Sequence, residues 1–108
     1  MLRYTLSNRE INVAEYILFM HNDVVVDDQD AWESYLRTLK QSGAFEGGSE
    51  IGDGICVRKV GAAPPVTEHL GGYIRVTAAT IDQAKSLLAG NPHFEAGGTV
   101  EIRELPRK

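Results

Sequence analysis

Three histidines hold most of the proton-transfer chemistry this chain can offer. Imidazole is the side chain whose ordinary titration range lies nearest neutrality, so it serves as acid or base without heavy retuning. His21 closes an apolar run and stands two residues before Asp23. Residues two apart share a face while the chain stays extended, and a carboxylate beside an imidazole fixes its tautomer and raises its basicity. That is the minimal general-base arrangement; the plain alternative is a solvated strand end. His93 lies in Asn91-Pro-His-Phe, between a helical pattern and the last strand-like run, where a loop side chain can project over a sheet edge. Its alternative is an exposed ring in a helix-terminating loop. His69, just before a glycine pair, can stand at a pocket entrance.

Other chemistries find little support. No His-x-x-x-His or Cys-x-x-Cys spacing is present, so no metal site is expected. No Gly-x-Gly-x-x-Gly opens a helix, and neither a P-loop nor a serine elbow occurs, so no cofactor is expected either. The three Gly-Gly pairs read as backbone geometry beside strands. Cys56 is the single cysteine, which rules out an internal disulfide and fits a reducing compartment. Within Ile55-Cys-Val-Arg-Lys-Val it reads as a small strand residue before it reads as a nucleophile, which needs an adjacent base. The first ten residues resemble neither a signal peptide nor a membrane helix, so cytoplasmic residence is the expectation, with no membrane partner. With a formal net charge of −4 and its 11 basic residues scattered, the chain lacks the basic stripe of a nucleic-acid binder.

At 108 residues the chain makes one domain with a modest core. Residues 1–12 are expected to form an arm, 13–105 the domain, and 106–108 a solvated tail. Val13-Ala-Glu-Tyr-Ile-Leu-Phe-Met has apolar groups on both faces, as a central strand covered on both sides would. Trp32, Tyr35, Leu36 and Leu39 recur at helical spacing; Asp27 or Asp28 can cap this helix and Gly43 can stop it. Ala44–Ile51 and Gly54–Val60 flank Gly52-Asp-Gly and predict a hairpin or kinked strand pair. Two prolines make residues 61–69 a connection.

Residues 72–78 then alternate, with Tyr73, Arg75 and Thr77 opposed to Ile74, Val76 and Ala78. Thr80 and Gln83 form a capping box, and Ile81, Ala84, Leu87 and Leu88 line a second helix ended by Gly90 and Pro92. Residues 98–105 alternate again, Val100 and Ile102 opposed to Thr99, Glu101 and Arg103. The order β-α-β-β-α-β predicts an α+β, ferredoxin-like fold: a four-stranded antiparallel sheet with two helices on one face.

Two helices cover only one side of such a sheet. Whichever face of the first strand points away from them is large and apolar, and a second copy placed sheet against sheet would bury it, so a homodimer is expected. Tyr73, Arg75, Glu101 and Arg103 would then face the partner, where charges must be paired or solvated. They would form either a ligand pocket or a dimer-locking ion-pair network.

From about Glu15 to Leu105 the chain resembles the YCII-related, DGPF-domain family. The matching stretches are Tyr16-Ile-Leu-Phe-Met, Leu39-Lys-Gln-Ser-Gly-Ala-Phe-Glu-Gly-Gly, Leu70-Gly-Gly-Tyr-Ile-Arg-Val, Asn91-Pro-His-Phe and Gly97-Gly-Thr-Val-Glu-Ile-Arg. The resemblance implies a dimeric α+β barrel with an active site between sheets and, in some members, a His–Asp pair. His93 matches a histidine common at that place in the family; His21 with Asp23 matches the pair loosely. The Asp-Gly-Pro-Phe tetrapeptide itself is missing, since Pro64-Pro-Val-Thr-Glu-His-Leu-Gly-Gly runs directly into the strand.

The expected protein is a homodimer with a small-molecule cleft between sheet and loops. If it is an enzyme, His93 or His21 is the acid/base, Asp23 orients it, and Arg75 or Arg103 holds an anionic group. The alternative is a non-catalytic binding or regulatory module.

Overall fold

The computed structural model describes residues 13–107. The expected arm over residues 1–12 and the last residue of the expected tail lie outside the described residues. Strand β1 (Ala14–His21) leads through a turn to helix α1 (Gln29–Gln41) and strand β2 (Phe45–Glu50). Strand β3 (Leu70–Ala78), helices α2 (Ile81–Ser86) and α3 (Pro92–Glu95), and strand β4 (Val100–Leu105) complete the domain. The sheet order is β2-β3-β1-β4 with every neighbouring pair antiparallel, which is the expected ferredoxin-like arrangement.

Alternation places Tyr16, Leu18 and Met20 of β1 beside Ile74, Val76 and Ala78 of β3 on the helix side of the sheet. Tyr35 and Leu39 of α1, Ala84 of α2 and Leu88 close over them. Leu18 and Val76 are fully buried. Each such side chain contributes about 1.5–3 kcal/mol when taken out of water. The other face is mixed, as the alternation in β3 and β4 predicts. Ile17 lies opposite Arg75 and Arg103, and Phe19 opposite Tyr73 and Glu101, so two apolar side chains sit within a polar frame.

The helix ends follow their sequence signals. Asp28 Oδ1 accepts from Ala31 N at 3.0 Å, and Gly43, with φ of 82°, follows the Ser42 cap. Thr80 Oγ1 accepts from Gln83 N at 3.1 Å, while Gln83 Oε1 reaches back to the N–H of Ala79, one residue before the cap.

Two expectations need correction. Gly54–Val60 forms no strand, and residues 51–69 carry no regular element. The β2 segment pairs with β3 instead, and its outer edge is left open among the described residues. The second helix also stops early. Tyr35 Oη donates to the Leu87 carbonyl at 2.8 Å, the chain turns, and Asn91 caps a new short helix by accepting from Phe94 N at 3.0 Å. Proline at the first helical position suits that restart. Among the described residues, no helix is long and apolar enough to cross a membrane.

Candidate functional site

The expected contact between His21 and Asp23 is not made, because β1 ends at His21 and the following turn re-aims Asp23. Asp23 accepts from the Thr99 N–H through both carboxylate oxygens, at 3.0 and 3.1 Å. Hydrogen bonds from the side chain and backbone of Thr99 hold its carboxyl below the ordinary carboxylate value, with the charge of His93 a smaller cause. Its histidine partner is His93, whose Nε2 lies 3.3 Å from Asp23 Oδ1 and 3.1 Å from the Thr99 carbonyl oxygen. Thr99 therefore joins the pair, donating to one member and accepting from the other.

His93 is only 6% exposed, carried in by α3 and not displayed on a loop. A carbonyl and a carboxylate both need a donor, so the proton of the neutral ring sits on Nε2. Nδ1 is then the basic atom. The ring rests directly on Gly98: a Cβ there would stand 2.3 Å from Nε2 and 2.7 Å from Cε1. One member of the last glycine pair is thus a seat for the imidazole.

His21 has different company. Its Nε2 lies 2.9 Å from Glu101 Oε1, and its ring meets that of His69 edge-on at 4.9 Å. Glu101 also takes Arg103 Nη1 at 3.1 Å. The hydrogen bond to His21, then that to Arg103, lowers the Glu101 carboxyl from its ordinary value. Arg75 stands 3.9 Å from Glu15 and donates to the Glu46 carbonyl oxygen at 2.8 Å.

A groove of about 610 Å³ opens between the sheet, α1 and residues 22–28. That volume suits a small organic ligand. Met20, Trp32, Leu36, Phe45 and Ile74 supply apolar wall, while His93 supplies a polar group; His21 and Tyr73 border the groove from strand positions whose side chains belong to the helix-free face. Of the residues expected to bind ligand, Tyr73 borders this groove through its place in β3, with its side chain on the helix-free face. Arg75, Glu101 and Arg103 do not; they belong to that same helix-free face. Sequence reading missed the wall residues Trp32, Leu36 and Phe45, and also Thr99 and Gly98. The one available signal was a glycine just ahead of a strand and shortly after a histidine.

No protein-family model matches the chain, and no curated protein matches it. Among solved structures it is similar to 5-chloro-2-hydroxyhydroquinone dehydrochlorinase (TftG) from Burkholderia phenoliruptrix AC1100, in complex with 2,5-dihydroxybenzoquinone. The TM-score is 0.57 at 16% identity, over 87% of this chain and 95% of that one. At this identity the likeness carries the fold: this chain has the α+β, ferredoxin-like architecture of an enzyme solved with a small ring ligand.

Proposed function

We propose that this chain is a YCII-related protein that acts as a homodimer and performs acid/base chemistry on a small molecule held in the groove beside His93. The observation that carries this reading is the state of the His93 ring, buried at the groove wall with Nε2 committed to Asp23 and Thr99. Nδ1 removes a proton from an acidic O–H or C–H of the ligand, and Asp23 stabilises the imidazolium that forms. The same ring returns the proton to the product. Trp32 and Phe45 offer apolar surface to an aromatic or quinonoid ring. The similar dehydrochlorinase, solved with 2,5-dihydroxybenzoquinone, makes hydroxylated rings the first substrate class to try.

The dimer rests on Ile17 and Phe19, half-buried at the centre of the helix-free face. Arg75, Glu101 and Arg103 frame that centre and belong to the shared surface in this reading. Residues 51–69 add Ile55, Val57 and Val60, 84, 83 and 78% exposed, as further apolar surface for the second copy. Light scattering at micromolar concentration is expected to give twice the chain mass, and a monomer contradicts the dimer.

The close seat of the ring on Gly98 favours a second reading, in which His93 is structural and the groove only binds. Turnover of a panel of hydroxylated quinones and hydroquinones separates the two. Acid/base catalysis predicts a loss of about 100-fold or more in His93→Gln, with the fold retained. Ligand-dependent stabilisation without product supports the binding module. Equal turnover in wild type and His93→Gln removes the catalytic proposal.

A further inference from the structure

We propose that His21, His69 and Glu101 bind one divalent first-row transition-metal ion, with Zn²⁺ as the reference case, at the end of the sheet. One donor atom from each residue lies within 4.8 Å of the other two. His21 Nε2 and Glu101 Oε1 stand 2.9 Å apart. Donors at about 2.0–2.2 Å from a tetrahedral zinc ion stand roughly 3.4 Å apart. The His21–Glu101 edge therefore opens slightly and the ion replaces their shared proton, while the exposed His69 ring swings inward.

Two imidazoles and one carboxylate select zinc or its neighbours over magnesium and calcium, which want oxygen donors. Three protein ligands leave a coordination position open to water or a ligand.

The surroundings hold these donors in place. Asn22, the residue after His21, donates its N–H to the His69 carbonyl oxygen at 2.7 Å. Its Nδ2 donates to the carbonyl oxygens of Glu68 at 3.0 Å and Leu70 at 3.2 Å. These three bonds fasten the segment bearing His69 over the end of β1. Gly71 makes room for the clamp, because a Cβ there would lie 2.3 Å from Asn22 Oδ1. On the other side Arg103 binds Glu101 Oε2 and leaves Oε1 directed at His21. An outer partner that orients a ligating carboxylate is the usual second layer of a metal site. None of the three donors belongs to the His93–Asp23 pair, so the two proposals stand or fall separately.

The test is a titration of tag-free protein with Co²⁺, followed by its visible ligand-field absorption and by displacement with Zn²⁺. The expected result is one ion per chain. His69→Ala, His21→Gln and Glu101→Gln should each weaken binding at least about tenfold, and Arg103→Ala by about 10–100-fold. Cys56→Ser removes the exposed thiol, the competing soft ligand, and should leave binding unchanged. His69 is exposed, so the metal-free melting curve of His69→Ala should match wild type and keep the comparison clean. Absence of binding by wild type, undiminished binding by His69→Ala, or loss of binding in Cys56→Ser would each overturn the site.

Discussion

His93 and His21 lie at the same end of one sheet, and each presents Nε2 to a carboxylate, yet their surroundings differ in almost every respect. His93 is enclosed, rests on the backbone of Gly98, and has a carbonyl and a carboxylate at one nitrogen. His21 is half-buried, shares its carboxylate with Arg103, and meets the exposed imidazole of His69 edge-on. The first environment fixes a ring and its tautomer. The second leaves the ring room to exchange a proton for an ion. The same residue type thus acquires two kinds of chemistry from packing alone.

Gly98 under the His93 ring and Gly71 beside the Asn22 clamp give the sharpest way to break this contrast. Gly98→Ala drives a methyl group into the buried His93 imidazole and forces it off Asp23 and Thr99. We expect a loss of about 1–3 kcal/mol in urea unfolding, as for other overpacked cores, together with loss of turnover or ligand stabilisation. Gly71→Ala meets the tip of the exposed Asn22 side chain, which can swing away. Its expected cost is under about 1 kcal/mol by the same measurement, since surface adjustments are cheap, while Co²⁺ binding weakens. His21→Ala should have the smallest effect, a midpoint within the error of the unfolding curve, because its pair is partly solvated. Comparable losses for Gly98→Ala and Gly71→Ala would erase the distinction between the two ends.

Much of the sheet was legible in the chain because alternation is local. The opposition of Tyr73, Arg75 and Thr77 to Ile74, Val76 and Ala78 needs only a period of two. The caps at Asp28 and Thr80 are equally local. Gly54–Val60 shows the limit: Ile55 and Val57 have strand propensity and β2 keeps an outer edge open among the described residues, yet the stretch does not pair there, so propensity alone does not make a strand. Asn91-Pro-His-Phe-Glu carried a cap and a first-turn proline, yet four residues are too few for a periodic signal.

The site was half legible. All three residues of the catalytic expectation lie close to one another around the end of β1, but the pairing is exchanged. Sequence proximity suggested His21 with Asp23; the turn at Asn22 sends Asp23 to Thr99 and His93, about seventy residues away along the chain. His21, His69 and Glu101 escaped the spacing rules for metal ligands for the same reason, since they come from three separate segments. Contacts of that range follow from the strand register, and short motifs do not encode it.

The tautomer of His93 tests the account most directly and needs no substrate. Long-range nitrogen–proton correlation spectra of the imidazoles, recorded in mildly alkaline solution, distinguish a ring protonated at Nε2 from one protonated at Nδ1. The account predicts a single neutral His93 tautomer with its proton on Nε2, and loss of that signature in Gly98→Ala. A His93 ring protonated at Nδ1, or one averaging freely between both forms, would contradict it.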